Sequence, residues 1–166
     1  MRWFVLLLSL CDPAGAATLE IHYAPNENLE AIDVATLESA GVSIDMAAYV
    51  LSDAAVVEAL GDAADRGVAV RLYLDRAEYE AHAGALADLV ARPGVTVRVK
   101  PAGALMHLKA YAVDRLRLRT GSGNFSRSGL SAQDNDLLVT DDPRAVALFE
   151  RDFERIFAGG APAAGS

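Results

Sequence analysis

In the stretch MHLKAYAVDRLRLRTGSGNFS, residues 106 to 126, His107 and Lys109 stand two apart, followed by Asp114 and then by Gly121, Ser122 and Asn124. On an extended segment, side chains two apart share a face, so His107, Lys109 and Tyr111 line one side. An imidazole and an ammonium among Leu105, Met106, Leu108, Ala110 and Ala112 are costly unless an anion or carboxylate compensates them. Downstream, Gly121 and Gly123 let the backbone turn and approach closely, while Ser122 and Asn124 offer uncharged donors. Lys109, Ser122 and Asn124 suit the non-bridging oxygens of a phosphate, with His107 facing the phosphorus. Taken singly, these features read better as a packed core histidine and an ordinary turn.

Together they form H-x-K-x(4)-D-x(6)-G-S-x-N, a pattern that resembles the HKD motif of the phospholipase D superfamily at all six positions: His107, Lys109, Asp114, Gly121, Ser122 and Asn124. Six fixed residues coincide at a given place by chance with odds on the order of 10⁻⁸, so the motif is specific. The resemblance continues in LEAIDVATLESAGVSIDMAAYVLSDAAVVEALGDAADRGVAVRLYLD, with its helix, strand ending in an aromatic, helix, Arg-Gly-Val and strand ending in Asp. In QDNDLLV, Asp134 takes the place where the family more usually carries Glu. The likeness runs from about Tyr23 to Phe157.

That resemblance implies an α/β fold, a mixed β-sheet with helices on both faces in an α/β/α sandwich. It also implies a homodimer, because two copies of the motif act on one phosphodiester and this chain carries one copy. One subunit's His107 would attack phosphorus to give a phosphohistidine, and the second subunit's would protonate the leaving oxygen and then activate water. Lys109 and Asn124 would neutralise the equatorial oxygens with Ser122 assisting, and Asp134 would orient the imidazole. No metal or other cofactor enters this scheme. The remaining histidines, His22 and His82, fall in different elements without ligand spacing. Asp114 has the opposite strand parity from His107 and Lys109, so with Gly121 it reads as structural, shaping the turn into the next strand.

The elements that must position these residues follow an alternation of short β-branched runs with Ala/Leu/Glu-rich segments, the pattern of an α/β domain. Strands are expected in TLEIHYA, VSIDMAAYV, VAVRLYLD, VTVRVK, ALMHLKAYAVD, RLRLRT and NDLLVT. Helices are expected between them, capped by Asn26, by Ser52, by Asp75 with Glu78 in a capping box, and by Asp142 with Pro143 at the first helical position. Gly41 and Gly67 end the first two, and the third stops before Pro93. One domain over residues 18–158 with a flexible tail over 159–166 accounts for the chain.

The composition, 52% hydrophobic and 23% charged over 166 residues, supports one sizeable core and argues against disorder. The net charge of −8 argues against coating nucleic acid through the overall field, so only a local basic patch would serve. RLRLRT supplies one candidate, with Arg115, Arg117 and Arg119 on one strand face and Arg127 beyond. The stripe reads equally as a polynucleotide track or as a charged edge strand that resists aggregation. A nonspecific endonuclease acting on DNA or RNA is the first expectation. A phospholipase D acting on lipid headgroups is the alternative, although no amphipathic segment with exposed Trp or Phe stands out. An inactive nucleic-acid-binding module is the reading from another class, and an intact nucleophile speaks against it. Residues 1–17 carry Arg2, an apolar run from Trp3 to Leu10 and small residues at Ala14 to Ala17, the order of a secretory signal peptide. Cleavage there would export the protein to a periplasmic or extracellular compartment. The run is far shorter than the roughly 20 residues that span a bilayer, so the mature chain is expected to have no transmembrane span. Cleavage would also remove Cys11, the one cysteine.

Overall fold

A computed structural model describes residues 16–163. The expected signal peptide lies almost wholly outside the described residues. Eight strands form one mixed sheet: β1 Leu19–Ala24, β2 Ser43–Ala48, β3 Ala69–Leu74, β4 Val95–Val99, β5 Lys109–Val113, β6 Arg117–Gly121, β7 Asn135–Thr140 and β8 Ala161–Pro162. Their spatial order is β1-β7-β6-β5-β2-β3-β4-β8. The pairs β2–β3 and β3–β4 are parallel and the rest antiparallel. The parallel strands are joined by helices, as parallel crossovers require.

Five helices complete the fold: α1 Leu29–Glu38, α2 Ala54–Asp65, α3 Arg76–Val90, α4 Arg127–Ser131 and α5 Pro143–Ala158. Each starts at a side chain that accepts its first free N–H groups: Asn28, Asp53, Asp75, Ser126 and Asp142. Leu29 and Leu37 of α1, Val56 and Leu60 of α2, and Leu86 and Leu89 of α3 pack with Ile44 and Met46 on one face of the sheet. On the other face Phe153 and Phe157 of α5 pack with Ala47, Tyr73 and Met106. The expected sandwich with helices on both faces is therefore present.

Four local expectations are corrected. The caps of α1 and α2 are Asn28 and Asp53, not Asn26 and Ser52. The strand expected from Ala104 begins only at Lys109; ahead of it the backbone is held by single bonds, from Tyr49 N to the Leu108 carbonyl and from Met106 N to Asp75. The short helix α4 was not foreseen; Ser126 capping Gly129 makes it. The tail is not flexible throughout: Ala161 and Pro162 add a strand to the edge of β4, opposite Val99 and Arg98, and Ala163 is buried. An open strand edge is a template for such pairing, and the tail fills it.

Candidate active site

β5 leads away from the site, the turn at Asp114 and Arg115 reverses the chain, and β6 returns to it, with Tyr111 opposite Arg119. Carrying that register two residues further sets Lys109 opposite Gly121, so the His-Lys and Gly-Ser-Gly-Asn halves of the motif meet at one sheet end. Gly121 has φ +154, and a Cβ there would collide with the carbonyl of Asp136. Only glycine lets β6 cross β7 so closely.

His107 is exposed at the mouth of the sheet, just before β5, while Lys109 is only 7% exposed. The Lys109 ammonium donates to the His107 carbonyl at 2.8 Å and lies 2.9 and 3.1 Å from Nδ1 and Nε2 of the imidazole. Burial lowers the Lys109 pKa from its ordinary value. Tyr49, just past β2, sets its ring 4.6 Å from the imidazole and 5.1 Å from the Lys109 ammonium. Asp75 accepts from Met106 N at 3.0 Å, fixing the backbone that enters His107. A cavity of about 350 Å³ opens on His107 between Leu105, Leu108, Tyr73 and the C-terminal end of α5.

Ser122 and Asn124 fill the other half differently from one another. The Ser122 hydroxyl donates to Asn135 Oδ1 and accepts from Asp136 N, both at 3.0 Å, so it braces the turn against β7. Donation to a phosphate requires it to release Asn135. Asn124 is half-buried and its Oδ1 has no hydrogen-bond partner; of its amide atoms, the NH2 is the one that can donate to an anion. Within one chain no hydrogen bond joins Asp134 to the His107 imidazole it was expected to orient. It is exposed and lines a cavity of about 510 Å³ with Ser122, Ile21, Tyr23, Asn135 and Asp136. The neighbouring Asn135 and Asp136, at the start of β7, hold the turn through Ser122, and the bond from Ser122 keeps the Asp136 carboxyl below its ordinary value.

Asp114 is structural, as its parity implied, and by a specific device. At φ 54 its carboxylate accepts from the N–H groups of Gly41, Val42 and Ser43 at 2.9, 2.7 and 2.8 Å, pinning the entry to β2.

The arginine stripe is corrected. Arg115 sits in the turn at the far end of β5 and β6 and pairs with Glu150 and Glu154 of α5. Arg117, although exposed, lies at that same far end. Arg119 is fully buried and ion-paired with Asp33 of α1, because its strand position faces the helix layer. Arg127 lines a separate cavity beside Glu30 and Asp53. Tyr49, Asp75, Asn135 and the Asp33–Arg119 pair escaped motif reading. The aromatic at the end of the second strand was the one signal that pointed to Tyr49.

Among the described residues, one carboxylate trio has the geometry to hold a metal: Asp45, Glu150 and Glu154. It lies on the α5 face and is neutralised in place by Arg71, bonded to Asp45 at 2.6 Å and to Glu154 at 2.8 Å. Burial and the nearby Asp45 charge push Glu150 up to about 7. No helix among the described residues is long and apolar enough to cross a membrane.

Residues 34–157 match the family model described as cardiolipin synthase, PLD-like domain. The human mitochondrial cardiolipin hydrolase is 32% identical over 121 residues, 73% of this chain and 48% of that protein. A phospholipase D of Rickettsia felis is 32% identical over 106 residues, 64% of this chain and 52% of that one. The chain thus spans about half the length of the curated relatives it matches. Among solved structures, Nuc of Salmonella typhimurium, a phospholipase D family member, superposes with a TM-score of 0.82 at 23% identity, covering 89% of this chain and 98% of Nuc. NucT of Helicobacter pylori gives 0.80 at 20% identity, over 89% and 99% of the respective chains.

Proposed function

The chain belongs to the phospholipase D superfamily, and from that premise we propose that it is a metal-independent phosphodiesterase whose active unit is a homodimer with one composite site. The observation that carries the proposal is the convergence at one sheet end of an exposed imidazole and a buried ammonium within 3.1 Å of it with the Gly121–Asn124 turn, whose Asn124 amide NH2 is a donor for phosphate oxygen. In this reading His107 of one subunit attacks phosphorus while His107 of the other protonates the leaving oxygen. The P–O bond to the leaving group breaks as the P–N bond forms, and water then cleaves the phosphohistidine. Lys109 and Asn124 from both subunits bind the equatorial oxygens. An ammonium held in a desolvated place is worth more to developing charge than one in water.

Nucleic acid is the substrate we place first. With Arg119 buried against Asp33 and Arg115 and Arg117 at the far end of the sheet, support for it comes from Tyr23, 57% exposed on the wall of the cavity that holds Ser122. An exposed ring there offers a base a stacking surface, which favours a single strand over a duplex. A phospholipid headgroup is the second reading, favoured by Leu105 and Leu108, 58% and 41% exposed on either side of His107. One preparation incubated in EDTA with plasmid, single-stranded DNA, RNA and cardiolipin vesicles separates the two. Cleavage of single-stranded DNA or RNA with intact lipid supports the first, phosphatidyl release alone supports the second, and equal activity of His107→Ala in any arm refutes the mechanism.

A further inference from the structure

One of the strand arginines expected to meet substrate is the most deeply enclosed of them. Arg119 is fully buried, and so is its partner Asp33. Its Nε and Nη2 donate to the two carboxylate oxygens at 2.8 and 2.9 Å. Nη1 donates to the carbonyl of Lys109 at 2.9 Å, and Nη1 and Nη2 both reach the carbonyl of Gly123 at 3.4 Å. Those contacts occupy all five guanidinium N–H groups. Tyr111 adds a hydrogen bond to Asp33 at 3.0 Å, and the Phe125 ring lies under the guanidinium at 4.5 Å.

The two carbonyls belong to the two halves of the motif. One is that of Lys109 itself, and the other immediately precedes Asn124. The Asn124 side-chain oxygen has no partner, and the backbone that carries it is confined by Gly123 on one side and by the close approach of Gly129, where a Cβ would come within 2.6 Å of the Asn124 carbonyl. A buried ion pair adds little net stability over apolar residues of the same volume, so retaining one is best explained by the geometry it enforces. We infer that the buried Asp33–Arg119 pair is the positioning device of the site, holding the Lys109 ammonium and the Asn124 amide at the spacing of one phosphate. Arg119 acts through these residues and touches no reacting atom. The inference rests on the phosphodiesterase reading above, but one arm of its test does not require turnover.

The test compares Arg119→Lys, Arg119→Met and Asp33→Asn in the full chain, with Arg71→Met as control, since Arg71 forms its pair with Asp45 on the opposite face. Readouts are kcat and KM on bis(p-nitrophenyl) phosphate, vanadate affinity by calorimetry, and the melting temperature. Lysine keeps three donors and reaches one carbonyl, so Arg119→Lys should lower kcat about 10-fold, and Arg119→Met about 100-fold, as a displacement near 1 Å does. KM should stay within about 3-fold and vanadate affinity should fall about 10-fold or more, measured well below each variant's melting temperature. Arg71→Met should shift melting and leave kcat alone. If Arg119→Met does not fold, Arg119→Lys and Asp33→Asn carry the same comparison. Wild-type kcat and vanadate affinity in a folded Arg119 or Asp33 variant overturn the inference, as does a kcat loss that merely follows the unfolded fraction. If wild type binds vanadate but cleaves nothing, the phosphodiesterase reading fails, while weaker vanadate binding by the Arg119 variants still upholds the positioning role.

Discussion

Replacing Asp114 should damage the fold and spare the chemistry. Its carboxylate takes three backbone N–H groups, from Gly41, Val42 and Ser43, at 2.7 to 2.9 Å across a gap of more than seventy residues. Hydrogen bonds to a charged acceptor are worth more than neutral ones, but Asp114 is half-exposed, so about 1 kcal/mol each and about 3 kcal/mol in total is the reasonable scale. Asp114 also sits at φ 54, where alanine costs about another 1 kcal/mol and glycine does not. Asp114→Ala should therefore melt roughly 8–16 °C below wild type, Asp114→Gly a few degrees less, and Asp114→Asn about half as far, since it tolerates the turn and keeps one acceptor. The bonds to Ser43, Gly41 and Val42 lower the Asp114 pKa against the opposing effect of burial. A carboxyl lowered on folding contributes stability above the unfolded value of about 4, lost as pH falls through the lower folded value; Asp114→Asn should lack that acid-side loss. Differential scanning calorimetry between pH 3 and 7 reads all of this. Melting of Asp114→Ala within about 2 °C of wild type refutes the clamp, and an Asp114→Asn protein with full stability and no activity refutes its structural assignment.

Tyr49→Leu should lower kcat about 10-fold, because it removes the ring that contacts both His107 and Lys109, whereas Tyr49→Phe keeps that ring and should stay near wild type; steady-state kinetics on a chromogenic diester checks this. Gly121→Ala should abolish soluble folded protein or lower its stability by more than about 3 kcal/mol, read by denaturant unfolding, since both its positive φ and the Asp136 carbonyl exclude a Cβ. Glu150, raised to about 7 by burial and Asp45, stabilises the fold fully below its unfolded value and loses that contribution as pH rises through about 7. Glu150→Gln should flatten the decline in unfolding free energy between pH 5 and 8, read by denaturant titration, by on the order of 1–2 kcal/mol after allowance for solvent screening. Arg115→Ala and Arg117→Ala should leave affinity for single-stranded DNA within about 2-fold in a salt titration, because both lie at the far end of the sheet.

The site was legible where local rules and tertiary structure agree. Motif spacing placed Lys109 and the Gly121 turn at one sheet end because the β5–β6 hairpin is short and its register leaves no freedom. Parity identified Asp114 as structural, but the three N–H groups it takes lie on a loop that no local pattern links to it. The same parity failed for the arginines. Alternation puts Arg117 and Arg119 on one face, but which end meets solvent depends on α1 lying over the sheet, and a buried guanidinium opposite Asp33 is a long-range fact. The likeness of QDNDLLV to the family's segment singles out Asp134, while the side chains that hold the turn are those of Asn135 and Asp136, one and two places on, which no local pattern distinguishes from it. The edge of β4, finally, gave residues 161–162 a partner that their Gly/Ala/Pro composition did not advertise.

The central claim is that His107 forms a phosphoryl bond in a site shared by two chains. Rapid quench of the wild-type protein with a radiolabelled phosphodiester, followed by peptide mapping under alkaline conditions that preserve phosphohistidine, measures this directly. The account predicts label on His107 alone, at no more than one phosphoryl group per two chains, and none on His107→Ala. Label on another residue, one group on every chain, or turnover by an isolated monomer would contradict it.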